Sequence, residues 1–417
     1  MRKMSELKGE CVTMIKGNAK YNDQDYNFIY EGSILKLTLK HKGKPDYYFN
    51  TYCNVGNNCL VSLFIIGEVK DSRDTVIFKP RVIISNQNNN VIKIKIDYYI
   101  TLKNKQTGYD GISIKIAKMN YLNFVEYLKY LDEKENGDIN LLDFRVVKSV
   151  KEIFNYKGID ISCSFHVVRD INYKYPLAVY PAFDLYFNTI QNSRFLVALD
   201  KIIRDFLSFL FYRGDINIKE IRLMKKNDKD ENYDRIGEMV FPEFNAHNYN
   251  FNQKVELYPS IRIRYINGHI GKILELISNN DLYLKHIPEN GHGRDMRRVE
   301  KLPYIIEGFE IEFDKLYNNK NIQNMSFVQK IEYHIEHNND TLSIFLHKIY
   351  NKYNKEFNLE SFLSDIQRIQ TLNDYDEIKN ISYIVEIMEV MIYDLQLRRI
   401  DLAESNIIGA LKVLFSL

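Results

Sequence analysis

The pattern of apolar and polar residues divides the chain into a strand-rich first part and a helical last part. In the first part, short β-branched and aromatic segments alternate between apolar and polar positions, as half-buried strands do. Clusters of Asn, Gly and Asp, such as SNQNNN, separate them. The segments are YNFIYEGSILKLTLKHKG, CLVSLFIIGEV, DTVIFKPRVIIS and NVIKIKIDYYITL, followed by GIDISCSFHVV, LAVYPAFDLYF and INIKEIRLM. This pattern predicts an antiparallel sandwich or an open barrel.

One helix interrupts the strands, because NSRFLVALDKIIRDFLSFLFYRGD carries its apolar residues on a single stripe. Ser193 can cap the start of this helix and Gly214 can close its end. The stripe consists of Leu199, Ile202, Ile203, Phe206, Leu207 and Leu210. Another helical pattern, NYLNFVEYLKYLDEKENG, ends at Gly137, and the charge-dense passage KKNDKDENYDRIGE indicates an exposed loop.

From about residue 268 onward the apolar spacing is that of helices, in about seven segments joined by short polar links. Asn358 and Asp401 are predicted N-caps. In RVEKLPYIIEGFEIEFDKLY the inward residues are predicted to be Leu302, Ile305, Ile306, Phe309, Phe313 and Leu316. The predicted fold is therefore α+β and multidomain: a β-rich, sandwich-like domain with a few helices at 1–245 and an all-α bundle at 246–417.

The amino-acid composition narrows the kinds of binding partner and the cellular compartment that we expect for this protein. The 57 Lys and Arg residues nearly balance the 55 Asp and Glu residues, so the net charge is +2. This near-balance argues against nucleic-acid binding over the whole protein surface but not against a local basic groove. Abundant Lys, Asn, Ile and Tyr are typical of an AT-rich genome, which weakens any argument from Lys or Tyr enrichment. Four widely spaced cysteines (Cys11, Cys53, Cys59 and Cys163) indicate reduced thiols. Without a signal-peptide core or a bilayer-length apolar run, we expect a cytoplasmic protein with no membrane partner.

Common catalytic motifs are missing from the sequence. It has no phosphate-binding glycine loop and no nucleophile elbow. His334 and His337 lie three residues apart on one predicted helix, but the sequence places no third metal ligand beside them. We therefore expect no metal and no other cofactor.

Arg264 and His269, in RYINGH, are separated by four residues, a spacing found in some RNA-cutting sites. About one such pairing is expected by chance in a chain with this many Arg and His residues. Arg264 also fits an extended segment, SIRIRYI. A structural role and a catalytic role both stay open, with His269 as the candidate catalytic residue.

A basic segment, KHIPENGHGRDMRR, precedes a predicted helix and groups His286 with His292 and three arginines. An exposed loop with a charged first helical turn is one interpretation. The other is a patch that contacts RNA phosphates, since guanidinium groups bind phosphate oxygens in pairs and cations at a helix start are unfavourable to the helix dipole. The candidate RNA-binding residues are His292, Arg294, Arg297 and Arg298.

The order of the predicted strands and helices is similar to that of a known protein family. The helix FLVALDKIIRDFLSFLFYRGD runs into INIKEIRL, LPYIIEGFE comes early in the helical part, and a long helix pair ends near LQLRRIDL. This order, over nearly the whole chain, is similar to that of the bacterial anti-phage HEPN proteins of the ApeA type, which have an ApeA N-terminal domain and a C-terminal HEPN bundle. The resemblance implies that the bundle dimerises. It also implies metal-independent RNA cleavage by an Arg-(polar)-x-x-x-His motif just before a long helix.

The motif position holds RIQTLND, which is degenerate. Arg368 matches the Arg, but Ile369 replaces the polar residue and Asn373 replaces the His. In the family chemistry, His takes the 2′-hydroxyl proton and Arg holds the charge on the phosphorane. Asn373 can orient a ribose hydroxyl but cannot serve as a base, and Asp374, with an ordinary carboxylate pKa of about 4, is a poor one. A plain helix end is the structural alternative for this segment.

Two functions are therefore carried forward. The first is an abortive-infection effector that binds RNA (tRNA is one candidate) and responds to a phage-derived trigger as a homodimer. Whether it also cleaves the RNA stays open. The second is a catalytically inactive HEPN-like dimerisation or sensor protein, which the missing His favours. Catalytic candidates in the first are Arg368, Asn373 and Asp374, with His269 or His292 as a replacement base from elsewhere in the fold.

Overall fold

The structure is a computed structural model of the 417-residue chain. It describes residues 14–21, 24–40, 64–87, 90–103, 106, 108–116, 151–169, 179–216, 218–227, 232–241, 260–289, 299–371 and 382–416. The predicted helix that ends at Gly137 and the cysteines Cys11, Cys53 and Cys59 lie outside these residues, whereas Cys163 is a buried free thiol.

Strands come first, with one helix among them, and helices follow, as the sequence predicts, but the predicted extended segment SIRIRYI contains a short helix at Ile263–Ile266. The strands are β1 (Ile15–Tyr21), β2 (Gln24–Glu31), β3 (Ile34–Leu39), β4 (Ile65–Val69), β5 (Thr75–Gln87), β6 (Val91–Leu102), β7 (Tyr109–Ile116), β8 (Glu152–Tyr156), β9 (Ile159–Arg169), β10 (Val179–Gln191), β11 (Ile218–Lys226) and β12 (Tyr233–Val240). The helices are α1 (Ser193–Phe211), α2 (Ile263–Ile266), α3 (Ile270–Ser278), α4 (Leu302–Leu316), α5 (Lys320–Gln323), α6 (Phe327–His337), α7 (Asn339–Lys352), α8 (Leu359–Thr371), α9 (Ser382–Arg399) and α10 (Glu404–Leu414).

The chain forms two compact units. The first comprises Met1–Ala117, Thr189–Ser193 and Asn217–Gln253, and the second comprises Lys118–Asn188, Arg194–Ile216 and Lys254–Leu417. Strands β8 and β9 and helix α1 thus belong to the same unit as the C-terminal helices, whereas the sequence predicted a single division at residue 245. The coarse α+β class agrees with the prediction.

In the first unit, strands β1 to β6 close into a six-stranded barrel. β1 pairs with β2 and β4, β3 pairs with β2 and β6, and β5 pairs with β4 and β6, all antiparallel. Register shifts around Pro80 interrupt the β5–β6 ladder, and such bulges bend a strand. The sandwich-like prediction is therefore wrong for these strands, because the long, bulged β5 and β6 let the sheet curve back onto β3. The last residues of β6 pair instead with β12, which leads to β11 and β7.

Side chains fill the barrel. Alternate residues of each strand point inward, and they are aliphatic side chains together with several aromatic rings. The rings of Tyr30 and Tyr99 lie 4.9 Å apart and those of Phe28 and Phe78 lie 5.3 Å apart. Burial, together with Glu238, raises the pKa of Tyr99 to about 12. The interior is a packed core of the kind that small barrels have.

In the second unit, helix α9 lies at the centre of the helical core. Every residue from Tyr383 to Leu397 is buried, so this helix has no solvent face. It packs on α4, α7 and α10, and the Tyr393 ring stacks on Phe209 of α1 at 5.2 Å. The fully buried carboxylate of Glu386 has an ion pair with Lys352 at 3.0 Å, and that of Asp394 has one with Arg398 at 2.8 Å. Such pairing offsets the cost of taking a charge out of water.

Several local predictions need correction. Strand β12 begins at Tyr233, inside the predicted loop KKNDKDENYDRIGE, where it pairs with β11. Ala403 rather than Asp401 precedes α10, and Asp401, with a φ of 59°, pairs with Lys272 of α3 instead. Tyr212, with a φ of 50°, rather than Gly214 holds the left-handed position just after α1. Asn358 caps α8 as predicted, accepting a hydrogen bond from the Ser361 amide at 2.8 Å.

No helix in the described ranges combines the length and the apolar character needed to cross a lipid bilayer.

Candidate functional site

The α8–α9 junction contains the only catalytic candidate of the degenerate motif that falls within the described residues. Phe362, Ile366 and Ile369 form the buried face of α8, each no more than 2% exposed. Arg368 therefore lies on the opposite, exposed face, in the last turn of the helix. Ile369 stands where the resemblance expects a polar residue because here that position belongs to the core.

Asp365 lies one turn before Arg368 on α8. Its carboxylate accepts a hydrogen bond from the Tyr383 hydroxyl, in the first turn of α9. Residues three apart on a helix share a face, so Asp365 and Arg368 are neighbours on α8. Burial of Tyr383 and its bond to Asp365 raise the tyrosine pKa, so this hydroxyl is a donor at neutral pH. Asp365 thus joins the two helices beside Arg368.

Two lysines from the end of α7 and the loop after it contact this junction. The Lys355 ammonium lies 4.0 Å from the centre of the Tyr383 ring, a cation–π contact. Lys352 pairs with Glu386 while 49% of its side chain remains exposed. We call Asp365, Arg368, Tyr383, Lys352 and Lys355 the junction site. Its cations are suited to phosphate oxygens, and its one carboxylate holds a tyrosine.

The rest of the predicted motif cannot be placed. Asn373 and Asp374 lie in residues 372–381, outside the described residues, although both flanking helices are described. The RNA-binding candidates His292, Arg294, Arg297 and Arg298 also lie outside them, in 290–298. Their roles stay predictions.

His286, which the sequence grouped with that basic segment, does not belong to an exposed patch. Its side chain is 1% exposed, and neither ring nitrogen has a hydrogen-bond partner among the described residues. The ring stacks on Tyr283 and meets Tyr393 edge to face, with centroids 5.9 Å and 5.5 Å away. Burial, with Lys301 nearby, lowers the pKa of His286 to about 3. This histidine is a neutral core residue.

His269, the proposed replacement base, lies just before α3. Its Nδ1 is 2.9 Å from the Ile400 carbonyl oxygen, a contact that places the proton on Nδ1 and leaves Nε2 as the acceptor. Glu152 of β8 accepts hydrogen bonds from the amides of Gly268 and Gly271 at 2.9 Å and 2.8 Å, and burial raises the pKa of this carboxyl. The arrangement anchors the start of α3 on β8. Arg264 packs its guanidinium on Tyr265.

The structure does not bring His269 and Arg368 together within one chain. His269 contacts Ile400, directly after the last turn of α9, whereas Arg368 lies beside the first turn. At 1.5 Å per residue, the 18 residues of α9 separate these ends by about 25 Å. His269 therefore cannot reach a phosphate held by Arg368 of its own chain.

His334 and His337, the histidines considered as metal ligands, are held separately. His334 is fully buried, with Nε2 3.1 Å from the Asp394 carboxylate and Nδ1 3.1 Å from the Tyr317 hydroxyl. His337 stacks on Tyr333 at 3.7 Å. Among the described residues no three His, Cys, Asp or Glu side chains form a group suited to a metal ion.

Sequence reasoning missed four members of the junction site, Lys352, Lys355, Tyr383 and Asp365. The usable signal was Glu386 and its neighbours in SYIVEIMEVMIYDL, where acids interrupt an apolar run. A helix with acids on several faces and apolar residues between them must bury some of those acids, and each buried acid needs a cation from a neighbouring element. Lys352 is such a cation.

Comparisons with known proteins identify no relative: the chain matches no family model, no curated protein and no solved structure.

Proposed function

We propose that this protein is an anti-phage effector of the HEPN type, which binds RNA at the junction site and cuts it without a metal ion. The N-terminal unit would sense the phage-derived trigger, and two copies would meet through the helical domain. The single observation that carries the proposal is the exposure of Arg368 in the last turn of α8, one turn after Asp365, whose partner Tyr383 also contacts Lys355.

Each residue has a defined part in the proposed reaction. The 2′-hydroxyl of a ribose attacks the adjacent phosphorus and the bond to the 5′-oxygen of the next nucleotide breaks. A 2′,3′-cyclic phosphate forms, and the departing 5′-oxygen takes a proton from water to become a 5′-hydroxyl. Arg368 holds the charge that develops on the phosphate oxygens, and Lys355 attracts the neighbouring phosphate. Asn373 orients the 2′-hydroxyl and Asp374 accepts its proton, at a low rate because an ordinary carboxylate is a weak base at neutral pH.

The test is an incubation of the purified full-length protein with total RNA and with tRNA, with a chelator present. The proposal predicts products with cyclic phosphate ends, and at least about tenfold slower cleavage by Arg368→Ala, since removal of one charge-stabilising group typically costs 10²–10³ in rate. Arg194→Ala removes another exposed arginine, at the start of α1, and is the matched control. Intact RNA under all conditions, or equal loss in both variants, contradicts the proposal.

A catalytically inactive dimerisation or sensor protein is the second candidate, because Asn373 stands at the histidine position. The variant Asn373→His separates the two. If this variant cleaves RNA that the natural protein leaves intact, the natural protein is catalytically inactive, although its site has the geometry of a HEPN ribonuclease. Equal cleavage of RNA by the variant and the natural protein excludes a catalytically inactive protein.

Replacement of the missing base by His269 requires a second copy of the chain, because about 25 Å separates the two ends of α9. His292 is the other candidate. If His269→Ala and His292→Ala both leave cleavage unchanged, neither histidine replaces the base.

A further inference from the structure

Three lysines and an isoleucine align across four neighbouring strands on the outer face of the barrel. Lys16 of β1 pairs with Ile29 of β2, Ile29 pairs with Lys36 of β3, and Lys36 pairs with Lys93 of β6. All four side chains point outward and are exposed. We call these four residues the lysine row. It belongs to the first compact unit and shares no residue with the junction site.

The row places like charges directly opposite each other. Cross-strand partners have Cβ atoms about 4.5–5.5 Å apart, and like charges in such a pair destabilise a sheet. Lys36 and Lys93 form this kind of pair, and the row contains no carboxylate. A repulsive pair of this kind is stabilised when an anion binds across it.

The next row on one side is uncharged at its centre. Asn18, Asn27 and Thr38 lie in register there, and all three are exposed. Amide and hydroxyl groups donate hydrogen bonds to phosphate and sugar oxygens. In the row on the other side, Ile34 lies between Glu31 and Lys95, and it is 42% exposed, compared with 39% for Ile29. Glu68 of β4 lies opposite Asn18 and is also exposed, so the face combines four lysines and two carboxylates with neutral donors and two apolar side chains.

The geometry points to a binding surface for the backbone of a single-stranded nucleic acid on this face. Neighbouring strands lie about 4.8 Å apart, so Lys16 and Lys93 are about 14 Å apart across three strand steps. Three ammonium groups over that distance can each neutralise a phosphate, in a sequence-independent way. Ile29 and Ile34 can contact the flat faces of bases, which only an unpaired strand exposes. Charge complementarity and these apolar contacts select this occupant.

Binding is measured with a fluorescently labelled single-stranded DNA of about 20 nucleotides, at several salt concentrations from about 50 mM upward. DNA has no 2′-hydroxyl, so failure of the proposed cleavage does not affect the result. The variant carries Lys16→Gln, Lys36→Gln and Lys93→Gln together. We expect at least about tenfold weaker binding at the lowest salt, and a slope of log K against log salt that is shallower by about 2, at about 0.7 per phosphate lost.

The matched control carries Lys103→Gln, Lys226→Gln and Lys412→Gln, three exposed lysines outside the row. Both triple variants lower the net charge from +2 by three. The control is expected to change the affinity less than about twofold. Equal weakening by both variants means that net charge alone attracts DNA, and no weakening by the first means that the row does not bind it. Either result overturns the inference.

Two competitors test the class of partner. A duplex of the same sequence that binds as tightly as the single strand contradicts the role of Ile29 and Ile34. A polyglutamate of similar length that displaces the DNA at equal charge concentration, and that loses affinity equally in the row variant, assigns the face to acidic polypeptides instead. Thermal unfolding of each variant confirms that it is folded, which is expected because the substitutions remove a repulsion rather than a contact.

Discussion

The Tyr383 hydroxyl donates a hydrogen bond to the Asp365 carboxylate, and this contact joins the end of α8 to the start of α9 on the two sides of residues 372–381. Asp365 is half-buried, so the loss of the donor is offset only in part by water. We predict that Tyr383→Phe lowers the free energy of unfolding by about 1 kcal/mol, the net value of one such hydrogen bond. Urea unfolding of both proteins measures it.

The control for this prediction is Tyr304→Phe, because Tyr304 is 50% exposed. It should leave the urea midpoint unchanged, since water replaces the hydroxyl at an exposed site. Equal stability of Tyr383→Phe and Tyr304→Phe would show that the α8–α9 contact contributes nothing.

Two Asp–Arg pairs with the same spacing give a second prediction. Asp394 and Arg398 on α9 and Asp200 and Arg204 on α1 are both i,i+4 pairs, but the Asp394 side chain is fully buried whereas the Asp200 side chain is 18% exposed. Removing one partner of a buried pair leaves an uncompensated charge. We expect Arg398→Leu to cost about 3 kcal/mol of unfolding free energy, and Arg204→Leu about 1 kcal/mol or less.

Urea unfolding of the two leucine variants compares them directly. The relevant result is the difference between them, because both lose the same side-chain type from a helix. Equal costs would mean that burial of Asp394 does not raise the value of its ion pair.

His286 gives a prediction for acidic pH. Its folded-state pKa of about 3 lies below the unfolded value of 6.5, so the folded protein holds the neutral ring. The stabilisation from this neutral state is complete above about pH 6.5 and is lost as the pH falls from there towards 3. His286→Phe removes the titrating group, so its free energy of unfolding should fall less between about pH 7 and about pH 4.5 than that of the natural protein.

At neutral pH the same variant should be as stable as the natural protein to within about 1 kcal/mol, because replacing unpaired polar groups by an apolar ring of similar shape loses no hydrogen bond. Exposed His347→Phe is the control and should not flatten the pH dependence. A pH profile of His286→Phe that parallels the natural one contradicts burial of a neutral His286.

Periodicity predicted the core of several elements correctly. The predicted stripe of α1 is buried throughout, with no member more than 5% exposed, because one face of an amphipathic helix must be covered. In α4, Leu302, Ile305, Phe309 and Phe313 are buried as predicted, whereas Ile306 and Leu316 are only partly buried. These two residues lie at the edges of the apolar stripe, where apolar character alone does not determine whether a side chain is fully buried.

The sequence could not predict closure of the barrel or the composition of the junction site. Closure depends on the pairing of β3 with β6, which lie more than fifty residues apart, and alternation within a strand does not specify its partner. The contact between Lys355, in the loop after α7, and Tyr383 of α9 could not be predicted either, because the apolar spacing within a helix does not specify which other element it contacts. The prediction of a loop at KKNDKDENYDRIGE was wrong where β12 begins, because the exposed residues Asp234 and Arg235 of this strand are polar, and polar composition also marks loops.

The central claim, that RNA binds at the α8–α9 junction, is tested most directly by photocrosslinking. Full-length protein is irradiated with RNA that contains a photoreactive uridine, and the crosslinked peptides are identified by mass spectrometry. The account predicts crosslinks in peptides that contain Lys352, Lys355, Arg368 or Tyr383, and their loss in Arg368→Ala but not in Arg194→Ala. Crosslinks confined to peptides outside residues 352–383, with the same yield in both variants, would contradict it.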